Sequence, residues 1–291
     1  MCSYDILTDS GCDIDIKTLK EWGVSSTDLS FRFEDGVEHF NSEMNPHDFY
    51  EKMRSGGVSK TSAVNSDSFE RLFEESLKAG KDVLYIGFSS GISGTFNSAR
   101  LAAEDLSDAY PDRTIVTIDS LCASAGEGLL LYFACQNRNN GMSLLENEKN
   151  IRDMILKLAH WFTVEDLVYL KRGGRVSAAA AFAGGVLGIK PVMHVDNEGH
   201  LINVSKVRGR AASIKAIAQK YFESALDAEN GVYFISHGDC VEDAKALEKI
   251  IIDKCSNKCK LITNVGTVIG SHSGPGTLAL FFLAKEDNRQ F

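Results

Sequence analysis

Three apolar runs of buried-strand length constrain this chain most: YDILTDS from Tyr4, DVLYIGF from Asp82 to Phe88, and TIVTIDS from Thr114 to Ser120. Strands covered on both faces read as near-continuous hydrophobic runs, and helical patterns between such runs indicate crossovers of a parallel sheet. Between Ile92 and Leu106 the apolar positions Ile92, Phe96, Ala99, Ala102 and Leu106 recur at three or four, so a helix opens directly after the loop SSGISGT. SDSFERLFEESLKAG predicts another, with Phe69, Leu72, Phe73 and Leu77 on one side, a cap near Ser66 or Asp67, and Gly80 at its end. The stretch from Gly36 to Thr61 has weaker periodicity and is expected to wrap the sheet edge as loops and short helices. In open α/β sheets, ligands sit beyond the carboxyl ends of the strands.

After helical patterns around Leu121 to Cys135 and Leu144 to Leu158 the character changes, and a boundary is expected near Ala159. HWFTVEDLVYLKRGGRVS is followed by an alanine-rich, helix-like run. KPVMHVDNEGHLINVSKVRG then predicts two strands around the turn residues Asp196, Asn197, Glu198 and Gly199. Helix SIKAIAQKYFESAL, strand GVYFISHG, helix VEDAKALEKIIIDKC and strand KLITNV follow, with GPGTLALFFLAKE expected as a short terminal helix. The expected fold class is therefore α/β, with a Rossmann-like parallel sheet in residues 1–158 and a smaller mixed α/β unit in residues 159–291. A chain of 291 residues can bury the cores of two such units.

A formal charge of -9 leaves no general basic field for a nucleic-acid backbone or an anionic membrane surface. No apolar run approaches the roughly 20 residues needed to span a bilayer, and the start turns polar at once, so a soluble, cytoplasmic protein is expected. The seven cysteines are an odd, scattered set, expected mostly as free thiols. Cys255 and Cys259 in KCSNKCK lack the second ligand pair that a zinc knuckle needs, so no metal is expected.

SSGISGT, Ser89 to Thr95, is the first candidate for chemistry. Its glycines permit a close turn, and free N–H groups with the hydroxyls of Ser93 and Thr95 can face an anion at a helix start. The same residues also serve as a cap and a tight turn. The loop is neither a Walker loop, nor a dinucleotide GxGxxG, nor a GxSxG elbow. In KTSAVNS, Lys60, Thr61 and Ser62 precede a helix, where two adjacent hydroxyls either share a carboxylate or cap local backbone. His272 lies in the glycine-rich VGTVIGSHSGPGT, where an imidazole can donate to an oxyanion or serve a structural role. KRGGRVS offers Arg172 and Arg175 at a glycine turn, and KVRGR offers Lys206, Arg208 and Arg210. Guanidinium forks across a carboxylate or phosphate, although basic groups near turns ordinarily face solvent. Asp5, Asp9 and Asp119 are read as hydrogen-bonded supports at strand ends rather than as metal ligands.

In family order, DILTDSGCD, KTS, GFSSGISGTFNSA, TIDS, VEDLVYLKRGGRVS, KPVMHVDNEGHL with KVRGR, and GSHSGPGT resemble the DegV family over essentially the whole chain. Its better-understood members are the fatty-acid-binding subunits of bacterial fatty acid kinase. The resemblance implies one long-chain fatty acid enclosed between a Rossmann-like unit and a smaller α/β unit. By the same resemblance Thr61, Ser62, Ser93 and His272 match the head-group positions, the backbone near Ser93 and Gly94 assists, and Arg175 completes the polar network. Arg208 matches a basic segment associated with docking to the kinase subunit, although Gly209 stands where the family commonly carries a hydroxyl residue. The small, apolar run from Ala178 to Pro191 is a candidate influence on pocket length, or else on helix packing at the boundary.

The expected function is a cytoplasmic carrier, not an enzyme, that presents a fatty-acid carboxylate to an ATP-dependent kinase subunit for acyl phosphate formation. No cofactor, catalytic residue, nucleic-acid partner or stable membrane insertion is expected. The alternative is a serine hydrolase acting on a small ester, which requires Ser93 to be activated by a base, His272 being the candidate.

Overall fold

The computed structural model describes residues 4–177, 188–287 and 289. The first three apolar runs form the expected parallel sheet. Its order is β2 (Val24–Thr27), β1 (Tyr4–Asp9), β6 (Asp82–Gly87) and β7 (Ile115–Asp119). Helix α1 (Ile16–Trp22) leads from β1 outward to β2, whereas α4 (Thr95–Ala109) leads from β6 the other way to β7. The chain therefore diverges between β1 and β6, where the loops beyond the strand ends leave a crevice. Asp9 fixes that end of the sheet. Its carboxylate accepts from Gly11 N at 2.8 Å, Phe88 N at 3.0 Å and the Tyr85 hydroxyl at 2.6 Å. Asp119 likewise accepts from Ser90 N and Leu121 N, so these aspartates support loops.

The stretch from Gly36 to Thr61, expected as loops and short helices, contains one short helix and also two strands, which pair with a third just before it. β3 (Ser30–Arg32), β4 (Glu38–Phe40) and β5 (Lys60–Ser62) make a small antiparallel sheet, and α2 (Pro46–Arg54) lies between β4 and β5. Three-residue strands are too short to display an alternating pattern, and pairing with β3 makes β5 extended. α3 (Ser66–Lys78) follows, capped by Asn65, whose side chain accepts from Ser68 N, rather than by Ser66 or Asp67.

Helices α5 (Ala125–Asn139) and α6 (Leu144–Ile155) lead into β8 (Leu158–Thr163). After α7 (Val168–Arg172) come the hairpin strands β9 (Ile189–Val195) and β10 (Leu201–Arg208). The remainder runs α8 (Arg210–Ser224), β11 (Tyr233–His237), α9 (Val241–Cys255), β12 (Leu261–Asn264), α10 (Thr267–Ser273) and β13 (Leu278–Leu283). These strands form a mixed sheet in the order β10, β9, β8, β13, β11, β12. Most of the small, apolar run that begins at Ala178 lies outside the described residues.

GPGTLALFFLAKE is corrected from helix to strand. Leu278 to Phe282 are all buried because β13 sits between β8 and β11 with both faces covered. A short, wholly apolar run has no period that separates helix from strand, and the neighbouring strands decide. On one face Leu278, Leu280 and Phe282 join Trp161, Ile217, Tyr221 and Leu247 beneath α8 and α9. On the other, Phe162, Met193, Phe234, Ala279 and Phe281 share one apolar cluster with Ile6, Leu84 and Ile86 through α5. Burying a Leu or Phe side chain contributes roughly 1.5–3 kcal/mol, so this shared cluster holds the two sheets against each other.

Candidate functional site

Thr61, Ser62, Ser93, Gly94, Arg175 and His272, from four separate segments of the sequence, line one cavity between the two sheets. It holds about 910 Å³ of unfilled space, part of it open to solvent. The first sheet supplies loop residues: Phe88, Ile92, Ser93 and Gly94 beyond β6, and Ala123 and Ser124 beyond β7. The second supplies a face. Register aligns Ser236, Ala279 and Phe162 in one row across β11, β13 and β8, and Phe234, Phe281 and His160 in the next. Of these six, all but Phe234 line the cavity, with Val195 and Leu201 from the adjoining hairpin.

β5 and the residue just before it dock on α10 through two side-chain bonds. Thr61 Oγ1 lies 2.8 Å from His272 Nε2, and Ser59 Oγ donates to Ser271 Oγ at 2.7 Å. α10 is held in turn by α2, whose Tyr50 hydroxyl donates to Val265 O at 2.9 Å. His272 Nδ1 is buried without a hydrogen-bond partner and packs against Gly173, where a Cβ would overlap it. Burial, and then the positive charge of Arg175, push the His272 imidazole down to about 4, so it is neutral near pH 7.

Arg175 lines the cavity. Its Nε donates to Ile92 O at 3.1 Å and its Nη1 to Gly173 O at 2.5 Å, joining the turn after α7 to the SSGISGT loop. Desolvation lowers its pKa from the ordinary value, yet a guanidinium stays charged. Ser93 Oγ accepts from Thr95 N at 3.2 Å and lies 2.9 Å from Thr95 Oγ1, while Gly94 occupies the N-cap of α4 with no side-chain cap bond. The first-turn N–H groups of that helix have no intrahelical acceptors. Hydroxyls, a helix start, a neutral imidazole and one cation thus converge, a set suited to one carboxylate.

Some sequence candidates lie elsewhere. Arg208 is exposed at the end of β10, opposite Ile189, and does not line the cavity. The backbone at Gly209 has φ +91°, which accounts for glycine where a hydroxyl residue is common. Arg210 is paired with Asp243 at 2.8 Å. Cys259 is a partly buried thiol pushed up to about 12 by desolvation, and neither it nor Cys255 belongs to a metal-competent cluster among the described residues. The pairing needed by a hydrolase is not formed: His272 Nε2 engages Thr61, and Ser93 engages Thr95. Sequence reading missed Ser124, His160 and Ser236, three further polar residues of the lining. The signal for the last two was a polar residue inside an apolar strand run.

The DegV family model matches residues 3–285. A DegV domain-containing protein of Clostridium perfringens is 41% identical over 285 residues, covering 97% of this chain and 98% of that protein. A DegV family protein from Thermus thermophilus, described for fatty acid binding, superposes with a TM-score of 0.86 at 26% identity, covering 97% of this chain and 99% of its own. DegV from Bacillus subtilis, described as a fatty acid binding protein, gives 0.85 at 27% identity, covering 98% and 100%. Sequence and fold agree over nearly the full length, and the chain belongs to the DegV family.

Proposed function

We propose that this chain binds one long-chain fatty acid between residues 1–158 and 159–291 and presents its carboxylate to an ATP-dependent fatty acid kinase, which forms the acyl phosphate. The carrying observation is that Thr61, Ser62, Ser93, Gly94, Arg175 and His272 line one cavity whose remaining lining is largely apolar. About a dozen methylenes moved from water at ~0.8 kcal/mol each give a gross term near ~10 kcal/mol before ordering costs, so the tail supplies affinity. The polar end fixes direction, because a carboxylate leaving water requires several donors. The fatty-acid binding of the Thermus thermophilus and Bacillus subtilis relatives supports the reading.

In this scheme the chain has no ATP site, works in the cytoplasm, and Arg208 belongs to the kinase-docking surface. No helix among the described residues is long and apolar enough to cross a membrane. Native mass spectrometry of mildly purified protein, with lipid extraction, is expected to find one fatty acid per chain. Adding a fatty acid kinase and ATP is expected to yield acyl phosphate only when the loaded chain is present, and Ser93→Ala to reduce the yield. Absence of copurified lipid together with failure to bind added fatty acid overturns the carrier. Binding without kinase-dependent product overturns the presentation step alone.

A further inference from the structure

A buried cation crosses the seam between the two sheets. Arg289, beyond β13, is only 1% exposed. Its Nε donates to Leu158 O at 3.1 Å, at the start of β8, and its Nη1 to Leu121 O at 2.8 Å, in the loop after β7. Its Nη2 donates to Cys122 Sγ at 3.4 Å and lies 3.5 Å from His160 Nδ1. Taking a charge out of water is costly, and a buried one persists only where acceptors surround it. One side chain thus binds a loop of the parallel sheet to a strand of the mixed sheet.

Both anchoring points adjoin the cavity. Leu121 and Cys122 directly precede Ala123 and Ser124, and Leu158 begins the strand that carries His160 and Phe162. Ala123, Ser124, His160 and Phe162 all line the cavity, whereas Arg289 does not. Burial, and then the charge of Arg289, hold the His160 imidazole well below its ordinary range, so the ring beside the guanidinium is neutral. A rigid guanidinium fork reaches carbonyls of two elements at once, which an ammonium on a flexible stem does less well.

The backbone of the loop adds an independent argument. Leu121 has φ 48° and Ser124 φ 56°, values that residues other than glycine adopt at a cost. Such geometry persists only where the surroundings over-determine it. Leu121 N donates to Asp119 Oδ1 at 3.1 Å, Cys122 N to Ser120 Oγ at 3.1 Å and Ser124 N to Gly11 O at 2.8 Å, all within residues 1–158. Across the seam the loop is held by Arg289 and by the contact of the Ser124 and Ser236 hydroxyls at 3.0 Å. Loss of the guanidinium takes the charged donor from Leu121 O and Leu158 O together and lets the strained loop relax away from β8.

We propose that Arg289 is a positioning residue for the ligand: it holds the loop after β7 against β8, keeps the cavity wall closed around the acyl chain, and so sets how slowly a bound fatty acid leaves. This rests on the fatty-acid reading above. Arg289 acts through Ala123, Ser124, His160 and Phe162 rather than by touching the ligand. Variants of one binding site differ mostly in dissociation, so the exit rate is the quantity that reports this role.

The test loads the full chain with radiolabelled octadecanoic acid and times its release into excess unlabelled acid, at a temperature where each variant is fully folded. Arg289→Ala is expected to release the acid about tenfold faster, the effect of losing one hydrogen bond to a charged group, and Arg289→Lys to fall between that and the wild type. Ile251→Val is the stability control, since Ile251 is buried in α9 and does not line the cavity; it is expected to lower the melting temperature and leave release unchanged. If Arg289→Ala does not fold, Arg289→Lys carries the same comparison. Release unchanged by the folded Arg289 variants, or accelerated equally by Ile251→Val, overturns the positioning role and leaves the fatty-acid reading intact. Failure of the wild type to bind any fatty acid overturns the carrier reading and this inference with it.

Discussion

The two sheets contribute to one cavity in different ways. The parallel sheet offers its ends: Phe88, Ser93 and Gly94 follow β6, and Ser124 follows β7, each at a loop or helix start. The mixed sheet offers a face, with Phe162, Ala279 and Phe281 in register across adjacent strands. Strand ends expose backbone donors and short polar side chains, whereas a sheet face presents every second side chain as a continuous wall. In the proposed scheme, direction of binding comes mainly from the first half, with His272 and Arg175 added from the second, and affinity mainly from the face.

The comparison is broken most severely by filling the wall. Ala279, beside Phe162 and Ser236, is the small residue in its row, so Ala279→Phe is expected to cut fatty-acid affinity at least ~100-fold while costing about 1–3 kcal/mol of stability. Titration paired with a melting curve separates the two effects. Affinity within ~threefold of the wild type would show that the tail lies elsewhere.

The halves are also expected to respond to pH in opposite senses. His272 titrates at 6.5 when unperturbed and at about 4 in the fold, so the unfolded chain binds the extra proton and stability falls as pH drops from 6.5 toward 4. Burial raises Asp13, at the end of the first sheet, from 3.8 to about 7, so the folded chain binds the extra proton and stability falls as pH rises through that window. Each shift corresponds to a few kcal/mol, on the order of 1.4 per unit. Denaturation of the ligand-free protein from pH 4 to 8 is expected to show His272→Asn removing the acid-side loss and Asp13→Asn removing the loss toward neutral pH. Identical pH profiles for both variants and wild type would sink the assignment.

Gly173→Ala sharpens the polar end. A Cβ there overlaps His272 Nδ1, so the imidazole must turn from Thr61, and affinity is expected to fall about tenfold, near the loss of one hydrogen bond to a charged group. Unchanged affinity would remove His272 from the head-group set. The smallest effect is expected at Arg208, exposed and away from the cavity. Arg208→Ala should leave lipid retention intact and weaken kinase affinity by about 1 kcal/mol or less, as measured by titrating a kinase subunit against loaded protein. Parallel loss of lipid would move Arg208 into the binding network.

Much of the parallel half was legible. DVLYIGF and the three-to-four spacing from Ile92 fix β6 and α4 because a long, doubly covered strand and an amphipathic helix have distinct patterns. The loop between them, with its serines and glycines, was recognisable for the same reason. The short sheet of β3, β4 and β5 was hidden because three residues carry too little pattern, and β13 was misread because a wholly apolar run fits either period.

The sequence by itself determined most of the elements of the parallel half, the family motifs and which residues could bind an oxyanion. Only the tertiary structure decided that Thr61 meets His272 across 211 positions, that Arg175 reaches back to Ile92, and that His160 and Ser236 face the same cavity. Local preferences act over a few residues, so they can set a strand or a cap. The meeting of distant side chains depends on strand register and on burial of the shared apolar cluster, and neither is encoded in any single segment.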